Sequence, residues 1–404
     1  MDSCQKELRI SYLTRILLKQ NGELVKDWII PLYKIYTDDE DINLITKIIK
    51  RGKNWAIGPE IDEFENMIKN YVGVDYCSVL NSGTSALHSL FLAYGFGNGN
   101  EIIVPSFSFI STANSVLFVG GKPIFADIEE ITFGLDPNLL SDKITSNTKA
   151  IVPMDYGGLS CKILEIQKIV KDHNLLLIED AAESLGASVN GKKVGSIADS
   201  SIFSFCGNKV LTTGEGGAVV TNSREINEKI KLIRSHGRVD NIRYFDNPLD
   251  ASYTTIGYNW RMSSLTATLG ISQIGKLDKI IKMRQDNANY ISSKLSKYSE
   301  IQVPKPPSGY EHIYQMFTIK LPEKKIRDDL HRHLIKKRIF SKVYFNPIHL
   351  NSFYMENFGT KKDSLPITEK LSQQILTLPI YPNMTQEEKE YLTTSIFEYF
   401  ESNK

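Results

Sequence analysis

Leu175-Leu176-Leu177-Ile178-Glu179-Asp180 is a run of four apolar residues that closes on two carboxylates. Its length and its lack of polar alternation read as a strand buried on both faces, the kind found in parallel sheets covered by helices. Ligands of open α/β sheets collect at the carboxyl ends of strands, and that is where Asp180 falls. Working outward, similar short runs recur at residues 77–80, 101–105, 122–126, 150–153, 201–205 and 218–221, with helical stretches between them. The alternation predicts an α/β fold whose large domain holds a mainly parallel seven-stranded sheet flanked by helices. After Arg261 the pattern changes to a helix at 265–281, a strand at 314–321, a helix at 330–338 and a terminal helix at 387–400, which predicts a smaller C-terminal α/β domain. The divisions expected are an N-terminal extension at residues 1–28, a large domain at 29–259 and a small domain at 260–404. Leu8, Tyr12, Ile16 and Leu17 give the extension an amphipathic helical spacing, and 235–257, without periodicity, reads as a mobile loop.

Twenty-nine residues beyond Asp180, within Phe203-Ser204-Phe205-Cys206-Gly207-Asn208-Lys209-Val210-Leu211-Thr212-Thr213-Gly214-Glu215-Gly216-Gly217, stands Lys209, with no charged residue within five positions. Desolvation disfavours an ammonium in an apolar, partly closed site, and the free amine is what Schiff-base chemistry needs. The other reading is an ordinary strand-end lysine that reaches for water. Upstream, Asn81-Ser82-Gly83-Thr84-Ser85-Ala86-Leu87 joins a strand-like run to an apolar helical one. Unpaired N–H groups and the dipole of a helix start make such a turn an anion site, and the anion expected is a phosphate. Cradle, carboxylate and lone lysine, in that chain order, are what pyridoxal 5′-phosphate requires. The phosphate is anchored on a helix start, an aspartate keeps the pyridine nitrogen protonated, and a lysine holds the aldehyde.

Val104-Pro105-Ser106-Phe107-Ser108-Phe109, Ile178-Glu179-Asp180-Ala181-Ala182-Glu183 and Gly257-Tyr258-Asn259-Trp260-Arg261-Met262 bring the ordered motifs to five. On them the chain, from about residue 30 to its C-terminal region, resembles the DegT/DnrJ/EryC1/StrS family of fold-type I, pyridoxal-phosphate-dependent sugar aminotransferases. Gly207-Asn208-Lys209 and Glu183 resemble the perosamine-synthase-like branch of that family. Cys206 and Asp155 stand where many members have histidines, and these departures leave the sugar open.

The resemblance implies a role for each residue. Lys209 carries the cofactor and moves the proton of the reaction, with pyridoxamine 5′-phosphate as the intermediate form. Asp180 pairs with the pyridine nitrogen, and Glu183 lies near the phenolic oxygen. Gly83 and Thr84 offer backbone N–H groups to the phosphate, and Ser204 its hydroxyl. Phe109 stacks on the ring; without that role it reads as core. Asn259 reaches the phosphate of a neighbouring subunit, which implies a homodimer with shared active sites; otherwise it is a turn residue. His349 faces the sugar, or else is a surface histidine. The segment from Trp55 to Pro59 resembles a loop near the active-site mouth.

The activity implied is transfer of an amino group from L-glutamate to a nucleotide-linked 4-keto-6-deoxy sugar. Amination at C3 of a nucleotide-linked 3-keto sugar and a non-catalytic, cofactor-binding sensor stand as alternatives. A sugar dehydratase on the same scaffold would carry histidine at the position of Lys209. A dinucleotide-binding oxidoreductase would need G-x-G-x-x-G, which Asn81-Ser82-Gly83-Thr84-Ser85-Ala86 does not supply.

Composition narrows the partners. Lys plus Arg number 48 and Asp plus Glu 47, so a net charge of +1 provides no field for nucleic acid. Cys4, Cys77, Cys161 and Cys206 make no C-x-x-C, which argues against a metal site and a disulfide framework and for a reducing cytoplasm. Arg9 and Arg15 interrupt the first apolar stretch, and no run approaches the ~18 apolar residues of a membrane span.

Overall fold

The computed structural model describes residues 27–239 and 252–402, together with the backbone of a strand pair at Lys19–Gln20 and Glu23–Leu24. Seven strands, β1 (Tyr76–Leu80), β2 (Glu101–Pro105), β3 (Lys122–Ala126), β4 (Thr148–Ile151), β5 (Leu176–Asp180), β6 (Ser200–Ser204) and β7 (Gly217–Thr221), form one sheet in the order β1-β7-β6-β5-β4-β2-β3. All seven runs read from the sequence are therefore strands of a single sheet. The pairs from β6 through β3 are parallel. Only β7 opposes its neighbours, β6 and β1.

Alternation along each strand divides the core between two faces. Val79, Phe203, Ala218 and Val220 point to one side, where Phe64 and Ile68 of the helix Pro59–Val72 cover them. Leu80, Ile178, Ile202 and Val219 point to the other, against Leu87, Leu90 and Phe91 of the helix Gly83–Ala93. Burial on both faces is why these strands lack polar alternation. The register sets Leu80 and Ser204 on either side of Gly217, and Asp180 beside Ile202. One sheet edge thus gathers the end of β5, the end of β6 and the turn that follows β1.

A second core is built on the antiparallel pair Phe317–Lys320 and Ile375–Leu378, covered by the helices Leu277–Leu295, Lys324–Lys336 and Gln386–Ser402. The single helix expected at 265–281 is two, Ser264–Gly275 and Leu277–Leu295, broken at Lys276. Packing is continuous across residue 260: Met262, Ala267, Ile274 and Leu277 belong to the core of the central sheet, while Ile30 joins the second core. The amphipathic spacing read within residues 1–28 lies outside the described residues. So does most of the expected loop, whose flanks pair as Arg238–Val239 with Ser252–Tyr253. Among the described residues, no helix is long and apolar enough to cross a membrane, and no group of three or more His, Cys, Asp or Glu side chains could hold a metal ion.

Candidate active site

At that sheet edge lies a cavity of about 390 Å³ whose wall includes Gly83, Thr84, Phe109, Asp180, Glu183, Ser204 and Lys209. Seven of the nine residues singled out from sequence meet here. The lone lysine of the sequence has a partner after all: Lys209 Nζ lies 3.1 Å from Glu183 Oε1, with both side chains largely buried. The other Glu183 oxygen accepts the Gly157 N–H at 3.0 Å, so the carboxylate is fixed from behind.

Asp180 ends β5 almost fully buried. Its Oδ2 accepts from Thr112 Oγ1 at 2.7 Å, and Thr112 Oγ1 contacts Ser108 Oγ at 2.6 Å. Burial pushes the Asp180 carboxyl above the ordinary range, while the Thr112 and Ala182 hydrogen bonds and the Lys209 charge pull it back. A cationic group beside it would complete the balance. Behind it, Asp155 is pushed up to about 6, chiefly by burial, although the Cys161 N–H and Ser184 Oγ each reach it at 2.8 Å. Glu179, also fully buried, is driven well upward by burial and by the neighbouring Asp155 charge.

The turn after β1 is built to receive an anion. Ser82 caps the helix Gly83–Ala93 and exchanges hydrogen bonds with Ser85. That leaves the N–H groups of Gly83 and Thr84 without acceptors among the described residues. A Cβ on Gly83 would stand 2.9 Å from Ser204 Cβ, so glycine is what lets the helix start sit against β6. No acidic side chain occupies the first turn to compete with an anion.

Phe109 is 59% exposed, which excludes the core reading, and it faces the cavity. Two expected residues lie elsewhere. Asn259 is exposed, bridges to Ser235 by its backbone and does not line the cavity. His349 is neither on the cavity wall nor at the surface. It is fully buried, with Nδ1 2.6 Å from Ser106 Oγ and Nε2 3.1 Å from Glu369 Oε1. A few residues before it, Lys342, Tyr344 and Phe345 do line the cavity. The segment was legible but the reaching side chain was not. An aromatic pair beside a lysine was the available signal, and the ammonium lies 4.4 Å from the Tyr344 ring centre. Thr112 and Ser108 were missed because a hydroxyl four residues along a helix start carries no sequence mark of the carboxylate it serves.

The residues present fit pyridoxal phosphate. Two unpaired N–H groups and a serine hydroxyl could receive its phosphate, a buried carboxyl with raised affinity for a proton could face a ring nitrogen, an exposed aromatic could cover its face, and a primary amine could take its aldehyde.

Among curated proteins, the chain is 36% identical to GDP-perosamine synthase of Caulobacter vibrioides over 82% of this chain and 87% of the relative. It is 33% identical to the UDP-4-amino-4,6-dideoxy-N-acetyl-beta-L-altrosamine transaminase of Campylobacter jejuni, over 91% of this chain and 96% of the relative. Among solved structures, Helicobacter pylori PseC, an aminotransferase involved in pseudoaminic acid biosynthesis, superposes with a TM-score of 0.87 at 30% identity, covering 92% of this chain and 99% of its own. The family description DegT/DnrJ/EryC1/StrS aminotransferase matches residues 36–397. The chain belongs to the DegT/DnrJ/EryC1/StrS family and is a pyridoxal-phosphate-dependent sugar aminotransferase.

Proposed function

We propose that the protein moves an amino group from L-glutamate to the C4 keto carbon of a nucleotide-linked 4-keto-6-deoxy sugar, as a cytoplasmic homodimer with shared active sites. The observation that carries the reading is the meeting of Lys209, Glu183, Asp180 and the Gly83–Thr84 turn in one cavity. Its relatives support C4, since the Campylobacter jejuni protein is named for a 4-amino-4,6-dideoxy sugar and others are perosamine synthases. When bound, pyridoxal phosphate supplies an electron sink and carries the amine between donor and acceptor.

The chain's own groups supply position and proton control. The Gly83 and Thr84 N–H groups and Ser204 Oγ would hold the phosphate. Asp180, held by Thr112, keeps a proton on the ring nitrogen, because an uncompensated buried carboxylate is unfavourable. Lys209 Nζ, beside Glu183, is placed to take a proton from the reacting carbon and to return it. Tyr344 and Phe345 give the cavity an aromatic wall that would limit water.

The dimer reading rests on exposed apolar side chains near Phe109 and in the segment that carries Asn259. Phe109 lines the cavity and Ile110 follows it, Phe118 and Tyr258 flank His88, and all four are exposed, as are Tyr253 and Ile256 in the segment before Tyr258, Ile256 at 84%. His88 Nε2 is buried without a partner among the described residues, between Phe118, Tyr258 and Trp260, and Asn259 sits exposed on the same segment as Tyr258 and Trp260. Exposed apolar side chains with an orphaned ring nitrogen suit an isologous contact.

Incubation of the holoenzyme with L-glutamate and a panel of GDP-, UDP- and dTDP-linked keto sugars, read by mass spectrometry and NMR of the product, tests the reading. A 4-amino-6-deoxy product is expected. An amine at C3, or no product from any member of the panel, contradicts it.

A further inference from the structure

A second cavity of about 390 Å³ lies behind the Lys209 site, between residues 130–133 and 156–159 of the sheet body and the 302–320 stretch. We propose that this cavity is a binding site for a nucleoside phosphate, separate from the catalytic cavity. The assignment uses none of the catalytic side chains and does not require the sugar proposed above.

The first support is His312, which is 7% exposed and lines the cavity. The Tyr314 N–H donates to its Nδ1 at 3.0 Å, so that nitrogen holds a lone pair. The Gly158 carbonyl, also 3.0 Å from Nδ1, already accepts the Ile313 N–H. Burial keeps the ring neutral, with its pKa lowered to about 3. Nε2 makes no hydrogen bond with the described residues and opens on the cavity. A ligand atom in this cavity would give that nitrogen a hydrogen-bond partner.

The second support is charge. Lys305 and Lys320 line the cavity, and Lys320 and Lys370 share the single carboxylate of Glu130. Lys305 makes no ion pair among the described residues, so the rim carries surplus positive charge suited to phosphate. The third is shape. Ile131, Phe133, Val303, Pro304 and Met316 give an apolar and aromatic wall for a flat ring, and His312 Nε2 would meet a polar ring edge. Inorganic phosphate would use only the rim, and an apolar ring without phosphate would leave the lysines unused.

Occupancy would be felt at the catalytic lysine. Tyr156 and Gly157 line this cavity, and the Gly157 N–H fixes the Glu183 carboxylate that holds Lys209. The ligand is a free nucleoside diphosphate or the same nucleotide carrying a sugar.

Isothermal titration of the holoenzyme with UDP, GDP, dTDP, one of them in hexose-linked form without a keto group, and inorganic phosphate tests the site. At least one nucleotide is expected to bind, to weaken by about tenfold or more in Lys305→Ala, as loss of a charge-assisted contact does, and to weaken further in Lys305→Glu. Ser204→Ala should leave that affinity unchanged, and Lys305→Ala should leave basal turnover unchanged. The tighter of the free and hexose-linked forms names the source. No nucleotide binding, inorganic phosphate binding as tightly as the nucleotides, or binding lost in Ser204→Ala and kept in Lys305→Ala overturns the proposal.

Discussion

At the scale of single residues, the cavity pairs a lysine with one carboxylate and holds a second, Asp180, whose proton affinity burial raises. Lys209 stood out in the sequence because nothing charged lies near it along the chain; its partner, Glu183, lies 26 residues away and was brought by the fold. Replacing Lys209 with alanine is expected to abolish transamination while circular dichroism and thermal unfolding stay near wild type, since the side chain packs little core. Asp180→Asn should lower turnover by about two orders of magnitude or more, with a smaller loss in cofactor affinity, because an amide does not keep the ring nitrogen protonated. Asp155 gives a pH signature. Its folded pKa is raised from 3.8 to about 6, so between those values the folded state holds a proton that the unfolded chain has released. Stability from this group therefore falls as pH rises across that window and is flat above it. Relative to wild type, Asp155→Asn should gain stability steadily from pH 4 to pH 6, beyond a constant offset for the altered hydrogen bonds. Urea titrations at intervals of pH check this, and a pH-independent difference would remove the buried charge from the account. His349 shows where residue reading stopped: position in the chain put it at the sugar, whereas Ser106 and Glu369, 243 and 20 residues away, hold it inside.

Elements were legible wherever burial on both faces left an uninterrupted apolar run, which is why β5 and its neighbours could be read directly. The helix break at Lys276 was not expected, although Gly275 stands beside it; the Lys276 ammonium is buried against Asp38 and Asp41. Nothing local in the sequence marks that lysine as an anchor. The strand Ile375–Leu378 was likewise hidden, since its reason is pairing with Phe317–Lys320. The cradle is the element on which function depends most. A Cβ at Gly217 would stand 2.4 Å from the Ser82 carbonyl oxygen and 2.7 Å from the Gly83 nitrogen, both backbone atoms. Gly217→Ala should therefore cost about 1–3 kcal/mol of stability by overpacking and weaken pyridoxal phosphate binding at the same time. Chemical denaturation and cofactor titration measure the two, and an unchanged cofactor affinity would show that β7 does not set the cradle.

At the scale of the whole molecule, the sheet order was not written in the sequence, and Asn259 was placed at the cofactor only by resemblance. Within one chain it is exposed and does not line the cavity. The dimer proposal turns this into a test: Lys209→Ala and Asn259→Ala chains, each impaired, are refolded together. Shared sites give mixed dimers with one intact site, and activity above either parent is expected. No gain in confirmed heterodimers would separate Asn259 from the partner's site. The central claim, that this cavity holds pyridoxal phosphate on Lys209, has a direct measurement. Borohydride reduction of the loaded wild-type protein, followed by proteolysis and mass spectrometry, should find the reduced cofactor attached to the peptide carrying Lys209. Attachment to another lysine, or to none in protein that has bound the cofactor, would contradict it.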